Sequence, residues 1–117
     1  MPQLDTRIMP FSTQMMATEP LGARAETLLP TDMAIEDTRY ILDYYRLSAD
    51  KRLIFGGGLV YGGTDPADIR AKLLPNMLRL FPDLRGTEIT QTWSGNGASS
   101  VGRVPHMGRV GSQTELG

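Results

Sequence analysis

The stretch Tyr40 to Gly63, YILDYYRLSADKRLIFGGGLVYGG, decides the fold. Two runs rich in β-branched, aromatic and leucine residues flank Ser48-Ala49-Asp50-Lys51, a polar tetrad suited to a tight turn, and this predicts a β-hairpin. In the second arm Leu53 and Phe55 share one face and Ile54 takes the other. The strand then runs into Gly56-Gly57-Gly58. Three consecutive glycines add nothing to a core and weaken a strand, so they belong where backbone bends or closely approaches a ligand or a neighbouring helix.

Beyond the hairpin the period changes. Thr64-Asp65-Pro66 supplies a capping side chain with proline just inside a helix, and Asp68 adds negative charge at the positive end of the helix dipole. Ile69, Leu73, Met77, Leu80 and Phe81 form an apolar stripe at spacings of three and four, widened by Leu74 and Leu78, as in an amphipathic helix laid on a sheet. Pro75 falls inside this pattern and predicts a kink or a two-part helix near Leu74, and Pro82 ends it. Thr87 to Trp93 alternates, with Ile89, Gln91 and Trp93 on one face, and reads as a strand. From Gly95 the composition shifts to glycine and serine, predicting loop or weak strand around Val101, Val104 and Val110. Residues 96–117 read as a poorly ordered tail.

On the N-terminal side, Met9 to Glu19 puts Met9, Phe11, Thr13, Met15 and Ala17 on one side of an extended strand. Pro10, Ser12, Gln14, Met16 and Thr18 fall on the other, which predicts a half-buried strand with Pro10 at an edge or entry point. Glu19-Pro20-Leu21-Gly22 breaks it. Ala23 to Leu29 has room for a short helix or irregular loop, and Met33 to Thr38 leads into the hairpin. These elements predict one α+β domain over 1–117, a mainly antiparallel sheet with one principal amphipathic helix packed on it.

The chain of 117 residues has a formal net charge of −1 with both signs interspersed. It therefore has no electrostatic footprint for nucleic acid or an anionic membrane. No cysteine is present, which removes disulfides, thiolate metal sites and cysteine nucleophiles. No leader and no apolar window of about 20 residues is visible, so the sequence predicts a soluble, unprocessed, cytoplasmic protein.

GGGLVYGG contains G-x-G spacings but lacks the βαβ context and the acidic residue about 20 positions on that make a dinucleotide site, so a phosphate loop is rejected here. Asp32, Glu36, Asp37 and Asp43 lack paired metal-ligand spacing and read as solvated surface. His106, the single histidine, has no partner in sequence that would orient it as a base or complete a metal site, so no residue reads as catalytic and none as a metal ligand. Trp93 reads first as a core anchor, and Tyr61 as a strand residue at the boundary with water.

DYYRLSADKRLIFGGGLVYGGTDPADI, LLPNMLRLFPDLRG, TWSGN and RVPHMGR resemble the substrate-domain half of FAD-dependent amine and amino-acid oxidoreductases of the D-amino-acid oxidase superfamily. The resemblance runs from about Ile8 to Gly111. It implies that the sheet roofs a cavity over a flavin, with Gly57, Gly58, Tyr61, Trp93 and Asn96 near a small amine or γ-glutamyl-amine substrate, and Arg103 and Pro105 near the cofactor. Within the family pattern W-x-G-N-F, Gly97 stands where an aromatic is expected and Ala98 and Ser99 replace larger apolar residues. Asn96 lies where amino-acid oxidases place a carboxylate-clamping arginine. The flavin fingerprint has no counterpart in the sequence, so the resemblance implies FAD in the intact family, none in this chain, and no oxidation by this chain alone. Polar residues at Gln14 and from Gly97 to Ser100 would then keep such a piece soluble. The alternative is a non-catalytic binding or assembly module that homodimerises through its sheet, with Met15 and Met16 either at that interface or filling gaps in the core.

Overall fold

The computed structural model describes residues 5–62 and 67–108. Five strands form one antiparallel sheet in the order β2-β3-β4-β1-β5, with β1 Ile8–Thr18, β2 Ile35–Glu36, β3 Asp43–Leu47, β4 Leu53–Tyr61 and β5 Ile89–Ser100. Helix α1 is Arg24–Leu28 and α2 is Ile69–Leu80, followed by a 3₁₀ turn at Pro82–Leu84. The α+β architecture read from the sequence is the one observed.

The hairpin is closed by the predicted tetrad. Leu47 pairs with Leu53, the Ser48 amide donates to the Arg52 carbonyl, and the Arg52 amide donates to Ser48 Oγ at 3.0 Å. Its first arm begins at Asp43 rather than Tyr40. The short edge strand β2, which pairs Ile35 with Tyr45, had no periodic signal because two residues are too few to show one.

The core lies between one sheet face and the helices. Met16, Leu47, Leu53 and Phe55 from the sheet meet Leu73 and Met77 from α2, Ala25 from α1, and Leu84 from the 3₁₀ turn. Tyr45 stacks on Phe55 with centroids 6.0 Å apart and meets Phe81 in a T-shaped pair at 5.0 Å. Such aromatic pairs contribute about 0.5–1.5 kcal/mol beyond area burial.

The helix stripe holds with one exception, since Leu80 is exposed while Leu73 and Met77 are fully buried. Asp68 is the N-cap, its carboxylate accepting from the Ala71 amide at 2.9 Å. Thr64-Asp65-Pro66 lies outside the described residues. Pro75 sits within a single continuous α2, so the predicted division into two parts does not occur. Pro75 and Ala71, whose carbonyl loses the bond, both face water, which can satisfy that oxygen.

Strand β1 is half-buried, as its alternation predicts, and the structure decides which side is inside. Ser12, Gln14, Met16 and Thr18 are fully buried on the helix side, whereas on the other side Met9, Phe11, Thr13 and Met15 stay partly exposed and only Ala17, near the strand's end, is buried. The side richer in apolar residues is not the buried one, because Lys72, the Leu53 amide, the Glu19 carbonyl and a bond within β1 satisfy the polar groups of the other. Met16 is therefore a core residue and not an interface residue. Gln14, with no exposed surface, cannot serve solubility.

The last strand runs past Trp93 to Ser100, pairing with β1 from Ile8↔Ser100 to Thr18↔Ile89. The glycine- and serine-rich segment read as loop or weak strand is thus a paired strand. Its ladder is specified by β1 and not by its own β propensity.

Candidate functional site

Strand alternation divides the predicted site residues between the two faces of the sheet. Gly57 pairs with Gln14 and with Asp43, and both of those side chains point toward α2. Between Ser12↔Val60 and Gln14↔Gly57 the register shifts, so Gly58 and Leu59 oppose the single residue Thr13. Gly58, at φ +75, makes this bulge without the steric cost another residue would carry.

A polar layer lies under α2 at this point. Lys72 Nζ donates to Gln14 Oε1 at 2.8 Å, and Gln14 Nε2 donates to Ser12 Oγ at 3.1 Å. Asp43, 1% exposed, accepts from Asn76 Nδ2 at 3.1 Å and from the Arg39 guanidinium, with Arg79 Nη2 at 3.6 Å. Asp43 is thus a buried ionic anchor, which corrects its reading as solvated surface. Asp37 does lie nearer the surface, where the hydrogen bond from Arg39 holds its carboxyl below the usual value.

The opposite face of the sheet carries Tyr61, Phe11 and Gly97 in one cross-strand row and Tyr44, Gly56, Met15 and Trp93 in another. The Phe11 ring lies over Gly97, where an added Cβ would meet its Cζ at 2.6 Å. The space opened by the missing aromatic at position 97 is taken by a ring from the adjacent strand. Trp93 is 40% exposed and sits across from Met15, away from the core cluster, so it is not the core anchor of the first reading.

At the end of this face Tyr61 meets Tyr40 and Arg103. Arg103 Nη2 donates to Tyr61 Oη at 3.5 Å, and its guanidinium stacks 4.8 Å from the Tyr40 ring centroid. Hydrogen bonds from Tyr61 and then Arg103 pull the Tyr40 phenol below its usual pKa, while that same contact with Tyr40 pushes Tyr61 up. Arg103 and Pro105 border an open recess of about 800 Å³, lined also by Ile8, Ser99 and the exposed His106. That recess is remote from the buried layer at Gly57 and Gly58. Asn96 pairs with Ser12 on the helix side and is exposed.

Of the predicted residues, the structure brings Tyr61 and Arg103 together, sets Trp93 farther along the same face, and places Gly57, Gly58 and Asn96 on the other. Sequence reasoning missed Tyr40 and Phe11. Tyr40 read only as the start of a strand, and nothing local signals that Phe11 would cover a glycine more than 80 positions away.

The flavin dinucleotide implied by the resemblance can be tested against the glycine run. A Cβ at Gly56 would meet Met15 Sδ and Tyr44 Cε2 at 2.2 Å, one at Gly57 would meet Asp43 Oδ1 at 2.4 Å, and one at Gly58 would meet Lys72 Cε at 2.8 Å. The protein's own side chains fill the space over these glycines, and β4 continues beyond them to Tyr61, so no helix N-terminus adjoins them to receive a pyrophosphate. These residues do not fit a dinucleotide. Among the described residues there is also no group of acidic residues and histidine that would hold a metal ion.

Residues 1–116 match the family model "FAD dependent oxidoreductase". The chain is 44% identical over 110 residues to gamma-glutamylputrescine oxidoreductase of Escherichia coli, covering 93% of this chain and 26% of that protein. It is 36% identical over 108 residues to the probable oxidoreductase OrdL of Haemophilus influenzae, covering 92% of this chain and 24% of that protein. It thus spans about a quarter of the length of these curated relatives. In fold it is similar to L-proline dehydrogenase from P. horikoshii, with a TM-score of 0.68 at 20% identity over 89% of this chain and 28% of that one. A glycine oxidase from Bacillus cereus gives 0.65 at 18% identity over 87% of this chain and 27% of that one. With a family model matched along almost its whole length, the chain belongs to the FAD-dependent oxidoreductase family.

Proposed function

We propose that these residues form the substrate-binding sheet of an FAD-dependent amine oxidoreductase acting on a small amine or γ-glutamyl amine, and that they do not oxidise it alone. The observation that carries this reading is the similarity to the E. coli enzyme, continuous along nearly all of this chain and confined to about a quarter of that one. The occupied glycine run supports the second half. In flavoenzymes the cofactor takes up the hydride and the protein positions the substrate. In this reading the positioning surface is the face carrying Tyr61 and Trp93, which no helix covers among the described residues.

The test has two arms. The purified 117-residue chain, mixed with FAD and passed through gel filtration, is expected to emerge without the visible flavin band, and a retained stoichiometric band overturns the non-catalytic half. Grafted in place of the matching segment of the E. coli enzyme, the chain is expected to support oxidation of γ-glutamylputrescine. A chimera that keeps FAD but no longer oxidises the amine overturns the substrate-domain half.

One feature favours a second reading as a self-associating module. Strand β5 is a long outer edge with most of its residues exposed, and such edges template pairing with another chain. A concentration-dependent dimer by sedimentation, lost when lysine replaces Thr92 on that edge, is the outcome that reading requires.

A further inference from the structure

We propose that Arg103, Tyr61 and Tyr40 form a receptor for a carboxylate carried by the substrate away from its reacting amine, an assignment that rests on the substrate-sheet reading above. Arg103 occupies the left-handed region at φ 55 although it is not glycine. Like Lys51 in the hairpin, at φ 63, Arg103 takes this conformation at the end of a turn, its amide donating to the Ser100 carbonyl at 2.9 Å. The conformation sets the guanidinium carbon over the Tyr40 ring, 4.8 Å from its centroid, and directs Nη2 at Tyr61 Oη. Contact with the ring holds the guanidinium in place while leaving N–H donors free for a ligand.

Among the described residues no carboxylate lies within ion-pair distance of Arg103, which is equally so for Arg7, Arg24, Arg46, Arg70, Arg85 and Lys72; what sets Arg103 apart from these is its place over the Tyr40 ring. The ring contact and the bond to Tyr61 hold the fork in place, and its charge is not paired with a carboxylate. A planar carboxylate matches it by two parallel N–H···O bonds. The adjoining recess of about 800 Å³, lined by Ser99, Pro105 and His106, lies within the size range of small-molecule sites and leaves room for the rest of the ligand.

The experiment titrates the full chain with glutarate, a carboxylate without an amine, and follows backbone and tyrosine resonances by NMR. Saturable shifts centred on Gly102, Arg103, Tyr40 and Tyr61 are expected. Affinity should fall about tenfold or more in Arg103→Gln, with partial recovery in Arg103→Lys. Neutral glutaramide should not bind. The guanidinium is exposed, so an unchanged circular dichroism spectrum separates lost binding from lost fold. No saturable shift, binding unaffected by Arg103→Gln, or phosphate or glutaramide binding as tightly as glutarate overturns the proposal. No flavin or amine takes part, so failure here leaves the oxidoreductase reading standing, and flavin retention by the isolated chain would break that reading without touching this one.

Discussion

The two faces of the sheet are built on opposite terms. On the helix-covered face every contact has a counterpart, with Phe55 between Tyr45 and the core and Gln14 between Ser12 and Lys72. The other face also has large apolar and aromatic side chains, Phe11, Met15, Tyr44 and Trp93, yet none belongs to the core cluster. The difference teaches that composition does not mark the inside of this domain. Partners do, and a polar group with two of them outranks a methionine with none.

If that contrast is right, truncating rings on the two faces gives unequal losses. Phe55→Ala, at a site with no exposed surface, is expected to destabilise by about 3–5 kcal/mol in urea unfolding. Gln14→Ala removes the acceptor of the Lys72 ammonium and is expected to cost about 1–3 kcal/mol, the range for orphaning a buried polar partner. A loss below about 0.5 kcal/mol there would show that water replaces the amide and that the polar layer is not an anchor. Trp93→Ala removes a larger ring than Phe55→Ala but is expected to cost only about 1 kcal/mol. A Trp93 loss equal to that of Phe55 would break the comparison.

The smallest effect is electrostatic. Arg39 holds Asp37, and Ser48 with Arg52 holds Asp50, below the ordinary carboxyl value of 3.8. A carboxylate whose folded pKa is depressed contributes stability above its unfolded pKa and loses it as pH falls through the folded one. The unfolding midpoint should therefore decline as pH drops below about 4, more shallowly in Asp37→Asn than in the parent. Both groups are solvent-facing, so added salt should shrink the difference.

Much of the family likeness was legible because its motifs are contiguous. LIFGGGLVYGG, LLPNMLRLFP and TWSGN each lie within one element or its cap, and chain order preserves them. The candidate site was legible only in part. Tyr61 and Arg103 were singled out separately, but their meeting depends on β1 lying between β4 and β5, with the segment after Ser100 turning back over Tyr40. Asp43 read as surface because its partners come from a loop and from α2, and a buried carboxylate has no sequence mark of its own.

The sequence by itself determined the hairpin, the amphipathic helix and its end at Pro82. Each of these is a local matter of turn chemistry, of spacing at three and four residues, or of a missing N–H, and needs no distant partner. Only the tertiary structure decided which side of β1 is buried, how far β5 runs, and what fills the space over each glycine. Those outcomes depend on register, and register is set by side chains scores of positions apart in the chain competing for the same few ångströms.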